Sequence, residues 1–221
     1  MVKRAVCIIS GGMDSALSAM IAKTEGYEII AVHFNYGQRT EQKELDSFRK
    51  IAKYLKVIES YEIDLDFFKQ IGASALTDSS IEVPTGGIEA GVPITYVPFR
   101  NGIFISIATA IAEKHQAQSL FIGVVEEDSS GYPDCRDAYI NSMETSINLG
   151  TKDETKLKIK MPLVHMKKEQ IVQKSLELKV PLEDTWSCYK EESQACGVCD
   201  SCRLRLKGFK NAGVVDSISY V

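Results

Sequence analysis

The N-terminal part of the sequence alternates between buried strands and amphipathic helices, and this alternation constrains the fold more than any other feature. Apolar runs at 5–9, 29–34 and 57–63 predict three strands, and apolar residues at helical spacing predict helices at 16–24 and 41–55. Strands that alternate with helices form a parallel sheet with helices on both faces. We therefore expect an α/β fold of the Rossmann-like, doubly wound class, with its ligand site at the carboxyl ends of the strands.

The rest of the sequence extends this pattern. Apolar spacing predicts helices at 102–114, 136–149 and 167–178, a strand at 120–125 and an edge strand at 157–161. Residues 77–93 contain two prolines and three glycines with little periodicity, which predicts a long loop that could cover the ligand site as a lid. With 221 residues, 44% of them hydrophobic, the chain suits one domain, which we place at 1–221.

Residues 10–15, Ser-Gly-Gly-Met-Asp-Ser, follow the first predicted strand and open the first predicted helix. Unpaired backbone N–H groups and the helix dipole favour an anion at such a place, and glycines let a phosphate approach the backbone closely. A tight turn capped by Ser10, with Asp14 complementing the dipole, would explain the same residues. The position at the carboxyl end of a strand makes a phosphate-binding loop the functional interpretation.

This loop lacks the Gly-Lys-Ser/Thr ending of a Walker A loop and resembles the Ser-Gly-Gly-x-Asp-Ser loop of the PP-loop ATP pyrophosphatases, which have an adenine nucleotide α-hydrolase-like fold. The resemblance implies that the loop holds the pyrophosphate part of ATP while a substrate oxygen attacks the α-phosphorus. It implies magnesium at the phosphates, with Asp14 either contacting the ion or supporting the loop. The implied ATP contacts are Ser10, Gly11, Gly12, Met13, Asp14, Ser15, Ala16 and Leu17.

Four of the six cysteines, Cys188, Cys196, Cys199 and Cys202, lie within 15 positions. Four thiols are what a closed, structural zinc site requires. An iron–sulfur cluster is the main rival, but residues 203–207 lack the Cys-Pro that completes a bacterial ferredoxin motif. Four unconnected core cysteines fit poorly beside the charged residues 190–192. We expect structural zinc in a C-terminal subregion at 186–211.

Three further segments carry polar side chains at predicted loop or helix boundaries. Residues 36–39 place a glycine, an amide and a guanidinium together, groups that could meet a carboxylate or a purine edge, although a polar loop capped by Thr40 explains them equally. Residues 96–101 and 131–136 each set a proline before an arginine at a predicted helix start. Each of these two, taken alone, is a capped helix start.

Five motifs in order make the resemblance specific: the loop at 10–15, Tyr-Gly-Gln-Arg at 36–39, Gly-Tyr-Pro-Asp-Cys-Arg at 131–136, Thr-Trp-Ser-Cys-Tyr at 185–189, and Cys-Gly-x-Cys-Asp-Ser-Cys at 196–202. Together they look like the 7-cyano-7-deazaguanine synthase family of the queuosine pathway, over residues 4–221. The resemblance implies conversion of 7-carboxy-7-deazaguanine, ammonia and two ATP into the nitrile through an amide. One departure stands at Phe99, where that family usually has glycine in Val-Pro-Gly-Arg-Asn.

The resemblance also directs the choice of site residues. The expected substrate contacts are Tyr36, Gln38, Arg39, Arg100, Asn101, Asp134, Cys135 and Arg136, and the expected catalytic residues are Ser15, Arg39, Asp134 and Arg136. We expect Arg39 or Arg136 to clamp the substrate carboxylate and Asp134 to accept from the guanine-like ring. A covalent role for Cys135 is the less favoured expectation, because adenylation already activates the acyl group.

Charge and hydropathy exclude other classes. With 26 Lys plus Arg against 30 Asp plus Glu, a net charge of −4 gives no basic field for nucleic-acid phosphates. No run approaches the roughly 20 apolar residues of a membrane span, and we find no signal peptide, so a cytoplasmic enzyme with small-molecule partners is expected. The family resemblance adds a homodimer. Two alternatives remain open at this point: a tRNA-modifying PP-loop protein, and a non-catalytic nucleotide sensor with a zinc-bearing tail.

Overall fold

Five parallel strands form one sheet in the computed structural model of the protein, which describes residues 2–87, 91–126 and 131–221. The strands are β1 (Arg4–Ile8), β2 (Glu28–Asn35), β3 (Glu59–Asp64), β4 (Ser119–Phe121) and β5 (Lys158–Lys160), in the order β3-β2-β1-β4-β5. The strand order therefore reverses between β1 and β4. In an open parallel sheet, the crevice at this reversal is where ligands bind.

The helices cover both faces of the sheet, which confirms the predicted doubly wound class. They are α1 (Met13–Thr24), α2 (Glu41–Leu55), α3 (Phe67–Ile71), α4 (Arg100–Lys114), α5 (Asp137–Gly150), α6 (Lys168–Glu177) and α7 (Asp200–Asn211). Alternate residues of β1 point to opposite faces. Ala5 and Cys7 pack with α1, α2, α6 and α7, whereas Val6 and Ile8 pack with α4 and α5.

Two helices and one strand end differ from the sequence-based expectation. The pattern predicts neither α3 nor α7, and β4 ends at Phe121 instead of continuing to 125. The buried face of α7 includes Arg205 and Gly208, so its apolar periodicity is weak. Beyond Phe121, Gly123 lies against the first turn of α1, at Asp14 and Ser15.

Among the described residues, no helix is both long enough and apolar enough to span a bilayer.

Candidate active site

The loop between β1 and α1 has the geometry of an anion-binding turn. Gly11 has a φ of +94°, and a Cβ there would lie 2.5 Å from the backbone oxygen of Glu44, so only glycine fits. Gly12 is the N-cap of α1. The Ser15 hydroxyl donates to the Gly12 oxygen at 2.9 Å and accepts from the Ser10 N–H at 3.1 Å. The two serines thus brace a loop whose glycine backbone faces the cavity described below.

Contacts from distant segments fix this loop. The backbone N–H of Trp186 donates to the backbone oxygen of Gly11 at 2.9 Å. Lys168, at the start of α6, donates from Nζ to both carboxylate oxygens of Asp14, at 2.8 and 3.1 Å. Asp14 is therefore held in an ion pair, which favours the loop-supporting role over direct magnesium coordination.

Two of the residues expected to contact ATP lie in α1, away from the cavity described below. Ala16 and Leu17 lie in the core on the α1 face of the sheet with at most 1% exposure, and neither lines the cavity. The Ala16 N–H is already bonded to the Gly12 oxygen at 3.1 Å. Met13 packs in the same core but also borders the cavity, as do Ser10, Gly12, Asp14 and Ser15.

A cavity of about 250 Å³ opens at the carboxyl ends of β1 and β4. The phosphate loop forms one wall, the start of α4 forms another, and residues 186–189 with α7 form a third. Gly123 forms the edge nearest the loop, where a Cβ would lie 2.7 Å from the Ser15 nitrogen and 2.8 Å from the Asp14 carbonyl carbon. The sheet thus places the cavity where the strand order predicts it.

We expect Gly123→Ala to distort the phosphate loop. The added methyl meets backbone atoms that cannot rotate away, and overpacking of this kind costs about 1–3 kcal/mol. Denaturant unfolding should show this loss, and calorimetry should show ATP affinity reduced by about tenfold or more. Gly86→Ala is the matched control, because a Cβ at Gly86 meets no atom within 4 Å. A Gly123→Ala protein with unchanged stability and ATP affinity would contradict this close packing.

Arg100 is the arginine that the structure brings into the cavity. It is the first residue of α4, and its Nη1 donates to the Tyr36 hydroxyl at 2.8 Å. Its guanidinium carbon lies 5.2 Å from the ring centre of Tyr36 and 5.9 Å from those of Phe104 and Tyr132. Its Nε is buried without a hydrogen-bond partner. A permanent cation with a spare donor beside the phosphate loop suits an anionic ligand.

The other two arginines expected at the site, Arg39 and Arg136, do not line the cavity. Arg39 donates to the backbone oxygens of Ala75, Asp78 and Ile81, at 2.6 to 3.1 Å. Arg136 is the exposed N-cap residue of α5, outside the cavity. Both guanidinium groups therefore lie outside the set of side chains that surround the cavity.

The described part of the loop at 77–93 is held against the cysteine region by several contacts. Arg39 fastens its beginning, and Arg203 donates to the Thr85 oxygen at 2.7 Å. Val83 packs with Trp186 and the four-cysteine cluster. The described residues of this loop cover the cysteines and do not line the cavity; residues 88–90 lie outside the described part.

Gln38 and Asp134 do not line the cavity but form hydrogen bonds with residues that do. Gln38 is buried, accepts from the Tyr36 N–H at 2.8 Å and donates to Glu44 at 3.3 Å. Asp134 Oδ2 accepts from the Asn101 N–H at 2.9 Å, so it caps the start of α4. Its Oδ1 is buried without a partner, and burial raises the pKa of this carboxyl.

Asn101 and Cys135 do line the cavity, 3.3 Å apart from Nδ2 to Sγ. Burial raises the pKa of the Cys135 thiol to about 12. A thiol that stays protonated at neutral pH is a poor nucleophile. This agrees with the expectation that Cys135 has no covalent role.

Three charged residues at the cavity were not found from the sequence: Glu44, Lys168 and Arg205. Lys168 carried a recognisable signal, because a cation in the first turn of a helix opposes the dipole and needs a compensating partner. Arg205 is 1% exposed and donates to Asp216 at 2.7 and 2.9 Å and to Thr185 at 2.8 Å. Arg205 thus joins α7 to the C-terminal tail and to the segment before the cysteines.

Glu44 carried no sequence signal of its own. It is half-buried in the first turn of α2, and its oxygens accept from Thr40 Oγ1 at 2.9 Å and Gln38 Nε2 at 3.3 Å. Burial raises the pKa of this carboxyl to about 7. A helix-start glutamate in sequence is usually a surface residue that complements the dipole.

Phe99 keeps the backbone conformation that a glycine would adopt. Its φ is +56° and ψ is +24°, the left-handed region that is rare for bulky residues. Its N–H donates to the Tyr96 hydroxyl at 2.9 Å, and its ring meets Tyr139 edge-on with 5.9 Å between ring centres. A Cβ at Gly102 would lie 2.5 Å from the Phe99 ring. The departure from the family motif therefore leaves the start of α4 in place.

The four cysteines lie close enough together to hold a metal ion. Their sulfurs all lie within 4.8 Å of one another, and three of the four side chains are buried. Tetrahedral zinc with bonds of about 2.3 Å would separate its sulfurs by about 3.8 Å, so the donor set fits. The N–H groups of Lys190, Glu191 and Cys196 point at the Cys188 sulfur from 3.3 to 3.4 Å, which supports thiolate.

Comparison with known proteins gives a consistent answer. The family model described as "Queuosine biosynthesis protein QueC" matches residues 4–213. The chain is 75% identical over 218 residues to the 7-cyano-7-deazaguanine synthase of Sulfurovum sp. (strain NBC37-1), covering 99% of this chain and 98% of that protein. The synthase of Sulfurimonas denitrificans is 67% identical over 219 residues, with 99% and 98% covered.

Solved structures with little sequence identity share the fold. A 4-thiouridine synthetase in complex with RNA and ATP superposes with a TM-score of 0.56 at 19% identity, over 96% of this chain and 50% of that one. A predicted tRNA methyltransferase subunit from Methanocaldococcus jannaschii gives 0.51 at 18% identity, over 100% and 93%. At this identity the likeness concerns the fold alone.

Proposed function

The chain belongs to the QueC family of queuosine biosynthesis proteins, and we propose that its cavity uses ATP to activate a 7-deazaguanine carboxylate twice. Relatives that are 56 to 75% identical over almost the whole chain are 7-cyano-7-deazaguanine synthases, so this chain is an ATP-dependent enzyme of queuosine biosynthesis. This sets aside the tRNA-modifying enzyme and the non-catalytic sensor as its function.

One observation carries the proposal: the phosphate loop and the Arg100 guanidinium border the same cavity. The loop at 10–15 would bind the pyrophosphate part of ATP through its backbone N–H groups and the Ser10 and Ser15 hydroxyls. Arg100 and the Tyr36 hydroxyl would hold the substrate carboxylate facing it, in place of Arg39 or Arg136. Asp134 would act indirectly, by fixing the helix start that presents Arg100 and Asn101.

The chemistry requires each oxygen of the carboxylate to become a leaving group. In the first step a carboxylate oxygen attacks the α-phosphorus of ATP, pyrophosphate leaves, and ammonia then displaces AMP to give the amide. In the second step the amide oxygen attacks another ATP, pyrophosphate and one N–H proton leave, and loss of AMP with the second N–H proton gives the nitrile. Fixed donors that meet the developing charge lower the barriers of both steps.

The aromatic side chains around Arg100 suit a planar heterocycle. Tyr36, Phe104, Tyr132, Trp186 and Tyr189 all line the cavity. Their rings offer apolar faces against which a deazaguanine ring would stack. The ring would then lie between these side chains with its carboxylate at Arg100.

The metal ions belong to two different places. Zinc would be held by Cys188, Cys196, Cys199 and Cys202 with no open position, and would stabilise the fold without taking part in chemistry. Magnesium would be bound mainly by the ATP phosphates, whose charge it neutralises, because Lys168 occupies the Asp14 carboxylate. We also carry over from the family resemblance ammonia as the nitrogen donor, a homodimer and a cytoplasmic location.

The direct test is a reaction of purified protein with ATP, magnesium, ammonium and 7-carboxy-7-deazaguanine. Mass spectrometry should find a transient amide and then the nitrile, with two AMP and two pyrophosphate for each nitrile. A reaction that forms no carboxylate-dependent AMP would contradict the proposal, and one AMP for each nitrile would contradict the double activation.

A further inference from the structure

The charges around the cavity leave one cation and one anion without an ion-pair partner. The charged residues that line it are Asp14, Glu44, Arg100, Lys168 and Arg205. Lys168 is paired with Asp14 at 2.8 Å, and Arg205 with Asp216 at 2.7 Å. In the part of the chain that the structure describes, Arg100 and Glu44 form no ion pair. The cavity therefore offers separate places for an anionic and a cationic ligand.

The anion of this set stands next to the phosphate loop. A Cβ on Gly11 would lie only 2.5 Å from the backbone oxygen of Glu44, so the first turn of α2 packs directly on the loop. Thr40 and Gln38 each donate one hydrogen bond to the carboxylate, one to each oxygen. A carboxylate oxygen accepts about two hydrogen bonds. Acceptor capacity therefore remains for a cationic donor in the cavity.

The reaction needs such a place, since ammonia must arrive as ammonium at neutral pH and lose a proton before it can attack. We propose that Glu44 binds ammonium in the cavity and takes its proton, delivering ammonia to the activated carboxylate. This inference rests on the proposed function and assigns its nitrogen-binding residue.

The step balances without any further reactant. The Glu44 carboxylate and ammonium become the carboxylic acid and ammonia. The ammonia lone pair forms the C–N bond, the C–O bond to AMP breaks with its electron pair on the phosphate oxygen, and one N–H proton is released to solvent. Glu44 afterwards returns its proton to water.

The environment of Glu44 suits a base of this kind. Burial raises its pKa to about 7, while the hydrogen bonds from Thr40 and Gln38 and the charge of Arg100 act in the opposite direction and Glu41 raises it slightly. A carboxylate with a raised pKa is a stronger base than an exposed one, and it remains substantially ionised near neutral pH.

The test compares two nucleophiles in the wild type and in Glu44→Gln. Hydroxylamine is largely unprotonated at neutral pH, so it attacks the same acyl adenylate without a base and forms a hydroxamate. We expect Glu44→Gln to lose about 100-fold in the ammonium-dependent rate of amide and nitrile formation. Its carboxylate-dependent hydroxamate formation should stay within about threefold of wild type.

The matched control is Glu41→Gln, which removes a neighbouring carboxylate that accepts from the Gly37 N–H and does not line the cavity. It should resemble wild type with both nucleophiles. Equal losses with ammonium and hydroxylamine in Glu44→Gln, or no loss with either, would overturn the inference. If Glu44→Gln does not fold, Glu44→Asp should lose about tenfold with ammonium alone, and an equal loss with hydroxylamine would overturn it.

The outcomes separate this inference from the proposed function. A wild-type protein that forms neither hydroxamate nor amide in the presence of ATP and the carboxylate would refute the proposed function. A wild-type protein that forms both, with a Glu44→Gln variant that uses ammonium normally, would refute only the role of Glu44.

Discussion

Removal of the metal from the four-cysteine cluster is expected to unfold the C-terminal segment and to abolish ATP-dependent activity with it. Structural zinc is worth about 10–16 kcal/mol in peptides, which is comparable with the whole stability of a typical domain at about 5–15 kcal/mol. The loss would reach the active site, because Thr40 Oγ1 lies 3.1 Å from the Cys188 oxygen and the backbone N–H of Trp186 donates to the Gly11 oxygen. Calorimetry of chelator-treated protein should show melting at least about 10 °C lower.

Metal analysis must accompany this measurement. One zinc per chain without inorganic sulfide would identify the ion, whereas iron with sulfide would favour the iron–sulfur alternative. Cys199→Ser should lose the metal and most of its stability. Cys7→Ala should keep the metal, because Cys7 lies in β1, outside the cluster. Verified metal-free protein that melts as the untreated protein does would contradict a structural role.

Arg100→Met is expected to reduce carboxylate-dependent pyrophosphate release by about 100- to 1000-fold. Loss of one buried, hydrogen-bonded charge at a ligand contact typically costs about 2–5 kcal/mol. Methionine preserves much of the apolar contact with Tyr36, Phe104 and Tyr132, so the fold should persist and can be checked by its melting curve. Arg49→Met is the matched control, because Arg49 is exposed and paired with Glu62 at 2.8 Å.

Arg100→Lys separates charge from geometry. Lysine keeps the positive charge but loses the planar fork that holds Tyr36 and a carboxylate together, so we expect only partial recovery. Normal activity in Arg100→Met, together with loss of carboxylate dependence in Arg39→Met or Arg136→Met, would restore the sequence-based assignment and contradict the structural one.

These assignments show what local sequence patterns can determine. The spacing of apolar residues and the positions of glycines predicted the first three strands, α1, α2 and the loop at 10–15. Each of these depends on residues that are close together in sequence. The cysteine spacing predicted the four-cysteine cluster for the same reason. The reaction was inferred from the resemblance to a known family, because the spacing of apolar residues carries no information about the chemistry.

The choice among arginines depends on contacts that are distant in sequence. Arg39 follows the second strand and looked suited to a ligand, but it donates its hydrogen bonds to backbone oxygens of residues 75–81, which are distant in sequence. Arg100 begins a helix and looked like a capping residue, yet the rings of Tyr36, Phe104 and Tyr132 surround it. Helix α7 was missed because an arginine and a glycine occupy its buried face.

The hydrogen bond from Trp186 to Gly11 has a consequence for synthesis on the ribosome. Trp186 is synthesised 175 residues after Gly11, and the cysteines follow it. At about 5–20 residues per second, the nascent loop waits for roughly ten seconds or more before the segment that fixes it has been made. A chain truncated before residue 186 would therefore carry a phosphate loop without its anchor, so competence to use ATP would arise only after residue 186 has been made.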